Sequence, residues 1–534
     1  VSPAPRPAGP LAWLVDAGEP ADARGLHAVL AQSPLRGQVA VRPGARTVLV
    51  SFDSRAAAAA AQPVLAGLAV PAGLDRPCGA HVVVDVVYDG ADLEDVAAAA
   101  GMSSEALVAA HSAASWTAAF VGFAPGFAYL EGWALRVARW ASPRTRVPAG
   151  AVAVADGWSA VYPSPSPGGW QLLGTTTADL WRTDREPPAL IAPGDGVRFR
   201  PTRPVAVAAA RAGAERDGGP TAGPRGGAEP VPAPTAPTAA HSAGSWPGGY
   251  LLVRHPGPLT LVEDDGRPGV EHLGVPPSGA ADRTSARTAN RVVGNRPGTA
   301  LLETLGDLEL ACEGRQVLAV HGSPGVSEVV TADGAAWRPL DGEPFLLEPG
   351  DVLHVAPPIV GARRYVAVRG GIDLPPVLGS RSSDLLSSLG PAPLRAGVAL
   401  RVGRELGVVG TPAPPASAPH GHRRVRVTLG PRDDWFTEAA VAAFLGTTWH
   451  VAGEANRVGL RLDGPSLERA TPGELASEPM VPGAVQVPPV GRPVVLLRDH
   501  PTTGGYPVLA VVWPTDLDVL GQAAPGDPVR FVAD

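Results

Sequence analysis

The residues with most capacity for chemistry lie in one short run of the second half of the chain. His272 stands six residues before Ser278 and ten before Asp282. An imidazole titrating near neutrality can act as a general base or orient a substrate carboxylate. Ser278 and Asp282 carry a second reading as N-caps of the helix that follows, a role worth about 1 kcal/mol, and for Asp282 the cap is the stronger of the two. No strand-to-helix nucleophile elbow and no locally supported Ser-His-Asp order is present, so covalent catalysis is not favoured. Farther on, Thr502-Thr503-Gly504-Gly505-Tyr506 offers hydroxyls and unshielded backbone N–H groups suited to an anion. Gln486, upstream, and Tyr506, which ends the run, are expected as further ligand contacts. His111 falls at the end of an expected helix, where a cation would complement the dipole. No spaced His/Cys/Asp cluster suggests a metal site, beyond any Mg²⁺ that accompanies a nucleotide.

These residues sit in a chain that repeats itself. Val481-Pro482-Gly483-Ala484-Val485, Thr502-Thr503-Gly504-Gly505-Tyr506 and Ala524-Pro525-Gly526-Asp527-Pro528-Val529-Arg530-Phe531 are echoed by Val147-Pro148-Ala149-Gly150-Ala151-Val152, Ser166-Pro167-Gly168-Gly169-Trp170 and Ala192-Pro193-Gly194-Asp195-Gly196-Val197-Arg198-Phe199. Three landmarks in one order indicate two related barrels joined end to end, built of short, turn-bounded strands. The repeat also separates architecture from function. The glycine turn recurs without threonines, so the fold accounts for the glycines and the threonines remain for function.

Composition narrows the chemistry. Of 534 residues, 44 are basic and 51 acidic, and every basic residue is arginine. Without lysine the chain has no Walker A loop, no Schiff-base amine and no covalently bound biotin. The net charge of −7 and the lack of a basic stripe argue against nucleic acid. Cys78 and Cys312 fall in different halves and suggest no disulfide, and a cytoplasmic setting fits best. No run approaches the roughly 20 apolar residues of a membrane span.

The pattern divides the chain into an α+β module at 1–80, a barrel at 81–201, a Pro/Ala/Gly linker at 202–246, and two lobes at 247–408 and 409–534, parted by a Pro/Ala loop near 411–421. Residues 120–129, rich in Gly, Pro and aromatics, read as an irregular loop that either plugs a core or walls a ligand. The fold class expected is mainly β with α+β.

The first half resembles the allophanate hydrolase subunit one family, the B-type component of 5-oxoprolinase, through Gly122-Phe123-Ala124-Pro125-Gly126-Phe127, Pro143-Arg144-Thr145-Arg146-Val147-Pro148-Ala149-Gly150 and Ser166-Pro167-Gly168-Gly169-Trp170. The second half resembles the subunit two family, the C-type component of 5-oxoprolinase, through Asp265-Gly266-Arg267-Pro268-Gly269, Leu273-Gly274-Val275-Pro276-Pro277-Ser278-Gly279-Ala280, Gly379-Ser380-Arg381-Ser382 and Thr502-Thr503-Gly504-Gly505-Tyr506. The resemblance implies cyclophilin-like β-barrels in both halves. It implies a protein that, with a separate third subunit, opens the lactam of 5-oxoproline at the expense of ATP, or alternatively a carboxyltransferase that moves CO2 from a separate carboxybiotin carrier to urea. The Kip inhibitor name of the same family adds a third alternative, a module that binds a histidine kinase. Two departures bear on specificity: Trp158 interrupts the family's glycine-rich run, and Val508 replaces a frequent lysine.

A lactam carbonyl must be made electrophilic before water attacks, and arginines with backbone donors can supply the charge neutralisation that a lysine would. Arg267, Arg381 with Ser382, Arg457 and Arg461 in the second half, and Arg144 and Arg146 in the first, are the candidates. Each has the alternative of pinning a turn by bonding carbonyls. The site is expected in the second half or where the halves meet.

Overall fold

The computed structural model describes residues 4–68, 79–140, 144–203, 249–404, 407–415, 421–473 and 475–534. Cys78, nearly all of the expected linker and part of the 411–421 loop lie outside them.

Near the N-terminus the strands Ala4–Pro7, Ala12–Asp16, Thr47–Phe52 and Gln38–Pro43 pair in that spatial order. Helices Pro20–Gln32 and Arg55–Gly67 cover one face, burying Ala23, Leu26, Leu30, Ala58, Ala61 and Leu65 against Val15, Val48, Val50 and Phe52. Small residues at helical spacing let these helices sit close to the sheet. The second helix opens on Ser54, whose side chain accepts from Ala57 N at 3.3 Å.

The two barrels share one closing device. In the first, the strand Gly196–Pro201 runs parallel to His81–Val86 and antiparallel to Trp116–Val121. In the second, Pro528–Ala533 runs parallel to Arg423–Leu429 and antiparallel to Trp449–Val451, completing a closed barrel of seven strands. Before each closing strand comes the Pro-Gly-Asp turn. Its glycine is left-handed, with φ of +92° at Gly194 and +86° at Gly526. Its aspartate accepts the N–H three residues back, at 2.8 Å from Ala192 and 2.9 Å from Ala524. The same turn at Glu348-Pro349-Gly350-Asp351 carries a 2.9 Å bond from Glu348 N to Asp351 and φ of +92° at Gly350. Between the barrels lie a six-stranded and a five-stranded antiparallel sheet, whose shared core includes Leu251, Val262, Leu302, Leu310, Leu318, Leu353 and Val366.

Two expectations require correction. Residues 120–129 are not an irregular loop throughout, because Phe120 and Val121 end one ladder strand and pair with Tyr129 and Ala128 of the next. Only the turn between them is irregular, with Phe123 at φ +65°. The aromatics are the plug: Phe120, Phe127, Tyr129, Tyr162 and Trp170 form a core in which Phe120 stacks on Tyr129 with centroids 4.2 Å apart. His111 does not serve a helix dipole either. It is fully buried, stacks on Phe199 at 4.7 Å, and lies between Tyr88 Oη at 2.7 Å and Ser159 Oγ at 3.0 Å. In the second barrel Phe444 takes its place, stacked on Phe531 at 4.6 Å. Each is followed five residues later by a tryptophan whose indole N–H donates to its carbonyl at 3.0 Å.

Candidate functional site

The motif runs meet on one seam between the halves. Phe123 N donates to Thr503 Oγ1 at 2.9 Å, and Gly126 N donates to Leu273 O at 3.1 Å. Gly274 sits at φ +80° with Ala124 O where a Cβ would be, 2.4 Å away, so only glycine allows this approach. Ser278 N donates to Arg498 O at 3.2 Å, which ties the Leu273–Ser278 run to the segment leading into Thr502. The N-terminal module closes the other side. Ala45 N donates to Ser477 O at 2.8 Å, Arg432 pairs with Asp16 at 2.5 Å and also with Glu478, and Arg42 faces Glu271 and His500.

Behind the seam is a buried ionic network. Arg457 reaches Asp499 at 2.8 Å, Glu303 at 2.7 Å and Gly279 O at 2.7 Å, with Glu263 at 3.4 Å. Glu303 also receives Arg363 at 3.1 Å, Tyr365 Oη at 3.0 Å and Ala281 N at 2.8 Å. Burial works against the Arg457 charge, but Asp499, Glu263 and Glu303 together hold its pKa well above the ordinary value. Glu263 is pushed well up, by burial first and by its carboxylate neighbours next, so it favours the protonated form.

Several polar atoms on this seam are buried and lack a hydrogen-bond partner: Arg42 Nε, Arg267 Nε and Nη1, Ser278 Oγ, Ser383 Oγ, Asp384 Oδ2, Arg498 Nε, His500 Nε2 and Thr502 Oγ1. Native interiors rarely leave such atoms bare, and a cluster of them points to a ligand or to bound water. Burial and the nearby Asp499 carboxylate push Asp384 up to about 6. Burial brings His500 down to about 4, against the opposing bond to Pro501 O.

Of the residues singled out from sequence, Arg267, Ser278 and Thr502 are brought here with spare hydrogen-bonding capacity. Arg267 is 1% exposed and gives Nη2 to Ser382 O. Asp282 is the N-cap, accepting from Ser285 N at 2.9 Å and Ser285 Oγ at 2.6 Å. Arg457 is committed to the ionic network, and Thr503 to the seam itself. Ser382 bonds Asp264 at 2.6 Å; Arg381 gives its backbone N–H to Asp264 at 2.7 Å and its side chain to Leu374 O. Gln486 turns inward to Met480 Sδ at 3.4 Å and Tyr506 O at 3.3 Å, while the Tyr506 ring is half exposed. Arg144 pairs with Asp92 at 2.6 Å. His272 is exposed, with Nδ1 3.0 Å from Gly269 O, and Arg461 pairs with Glu454 at 3.4 Å in solvent. Arg146 lines a 380 Å³ cleft between the halves, with Ser164 and Ser166 of the first and Ser387 and Ser388 of the second. A second cleft of 450 Å³, between Arg136, Arg139, Trp140 and Trp158 of the first half and Leu475–Ser477 of the second, contains the Trp158 departure.

Sequence reasoning misses Arg42, Asp384, Arg498 and His500. His500-Pro501 directly precedes the threonine pair, a proximity that could flag it; Arg42 lies on an ordinary strand of the other half and carries no such signal.

The chain matches the carboxyltransferase domain family at subdomains A and B over residues 273–533 and at subdomains C and D over 4–191. The C-type 5-oxoprolinase subunit of Escherichia coli is 36% identical over 289 residues, 53% of this chain and 90% of that protein. The chain belongs to this carboxyltransferase-domain family. Its first half is 43% identical to the B-type 5-oxoprolinase subunit of Bacillus subtilis over 123 residues, 22% of this chain and 51% of that protein. The match with the crystal structure of TTHA0988 covers 98% of this chain and 99% of that one at 36% identity and a TM-score of 0.81, so the two share their fold across both halves. The urea amidolyase of Lachancea kluyveri is 34% identical over 52% of this chain but only 17% of that much longer protein.

Proposed function

We propose that this chain is the fused B-type and C-type component of a 5-oxoprolinase, which with a separate third subunit opens the lactam of 5-oxoproline to glutamate at the expense of ATP. The observation that carries this reading is that one chain holds, in order, segments similar to proteins named as the B-type and the C-type subunits of 5-oxoprolinase. The seam is where such a substrate would be handled. Arg267 keeps two bare guanidinium donors, Nε and Nη1, on different edges of the plane, and each can meet a carboxylate or a phosphate oxygen. With no lysine in the chain, arginine and backbone donors must neutralise any charge developed on an activated carbonyl. ATP enters as a substrate, and Mg²⁺ accompanies it.

Combining the chain with its third subunit, ATP and 5-oxoproline should release glutamate and ADP in equal amounts. No turnover beside a third subunit of proven activity overturns the reading. A second reading is favoured by the urea amidolyase relatives: transfer of CO2 to urea from carboxybiotin on a separate carrier, because this chain has no lysine to biotinylate. Incubating the protein with a carboxylated carrier and radiolabelled urea separates the two, since only that reading expects label in a carboxylated urea product.

A further inference from the structure

His500 lies inside the seam and is fully buried. Its Nδ1 is 2.8 Å from Pro501 O, and a carbonyl can only accept, so Nδ1 carries the hydrogen. The neutral ring then presents Nε2 as a lone-pair acceptor, and no protein donor meets it. Two hydroxyls on the same stretch of seam are equally bare, Thr502 Oγ1 two residues on and Ser278 Oγ on the run bonded to Arg498 O. Ser278 holds φ +50°, a left-handed conformation that a serine adopts only where the surroundings impose it. Across the seam, Arg42 on the strand Gln38–Pro43 is 8% exposed and leaves Nε bare. Among the described residues no ion pair reaches it, and the opposing charge that acts on it is that of Glu271. These groups form a complementary set: a cation, a lone-pair acceptor and two hydroxyls able to donate.

We propose that His500 accepts the amide N–H of a small amide-bearing carboxylic acid and that Arg42, from the N-terminal module, binds its carboxylate, so that both halves build one substrate site. The two hydroxyls then face the amide carbonyl. The inference rests on the 5-oxoprolinase reading for the identity of the substrate, and not for the geometry. Arg42 and Arg498 are the charged groups facing His500, and both disfavour a second proton on the ring. The imidazole is thus an acceptor under ordinary conditions. The arrangement also gives the fusion a purpose, since a C-type half alone lacks the arginine.

The test uses the full chain with its third subunit and 5-oxoproline as probe, in equilibrium binding and steady-state kinetics. His500→Asn keeps a donor near Nδ1 but removes the distal acceptor; it should weaken binding and raise KM by about tenfold, the loss of one buried hydrogen bond. His500→Gln restores an acceptor near Nε2 and should recover part of that loss, which a purely structural role would not predict. Arg42→Gln should raise KM more than it lowers kcat. Should a variant fold poorly, the unaltered complex still decides: adding 5-oxoproline should shift the His500 Nε2 nitrogen resonance. Variants that fold and bind as the parent does, or a resonance that does not move at saturation, overturn the inference. If the parent binds 5-oxoproline with these dependences but does not turn it over beside an active third subunit, the enzymatic reading fails and the site stands.

Discussion

Arg457 shows how much a single side chain carries when it is the shared cation of a buried group. Replacing it by methionine leaves Asp499 and Glu303 without their nearest positive charge and Gly279 O without its donor. Removing one partner of a buried pair costs roughly 3–5 kcal/mol, so Arg457→Met should lower the urea midpoint accordingly or prevent folding. Arg461, paired with Glu454 at the surface, should change stability by less than about 1 kcal/mol on replacement by alanine. Asp384 provides a pH test. Its pKa is raised to about 6 by burial first and Asp499 next, so in the intermediate range the folded state binds more protons than the unfolded state. The stability contributed by its neutral form is present below the ordinary carboxylate pKa and is lost as pH rises through about 6. Asp384→Asn should therefore melt higher than the parent above that pH, with the gain vanishing near pH ~4. A constant difference across the range would exclude Asp384 as its source.

At the level of elements, the seam is positioned by turns whose backbones only glycine permits. Gly274→Ala puts a methyl 2.4 Å from Ala124 O at φ +80°, so the Gly122–Gly126 turn and the Leu273–Ser278 run must separate. The expected result is a loss of about 1–3 kcal/mol and increased amide exchange at Phe123 and Gly126, two backbone donors that cross the seam at this turn. The Pro-Gly-Asp turn is legible in the sequence as a barrel landmark, and its chemistry explains why it recurs: glycine supplies the left-handed step and aspartate satisfies the orphan N–H. The 120–129 stretch shows the opposite case. Its composition suggests a loop, yet strand pairing and core packing outweigh the Gly/Pro signal at both ends, leaving only the central turn irregular.

For the molecule as a whole, contacts as well as the covalent connection hold the halves together. Arg432 to Asp16, Arg6 to Asp434 at 2.9 Å, Ala45 to Ser477 and Phe123 to Thr503 all cross the join. A protease site introduced between residues 204 and 248 should, after cleavage, give two fragments that co-elute as one species at native size. Separation of the fragments at low concentration would show that the halves need their tether.

The sequence by itself determined the barrel repeat, the exclusion of lysine chemistry and the families that each half resembles, because turn residues and composition are local properties of the chain. It also ranked Asp282 as a cap, since helix N-termini announce themselves within a few residues. What it could not separate were arginines with spare donors from arginines already committed: Arg267 and Arg457 look alike as text and are both buried, and only their partners distinguish them. His272 stands out by its neighbours in sequence yet is exposed, while His500 and Arg42, far apart along the chain, become neighbours only when the two halves close on each other. A site assembled across such an interface depends on contacts between distant segments, and no periodicity or spacing along the chain records them.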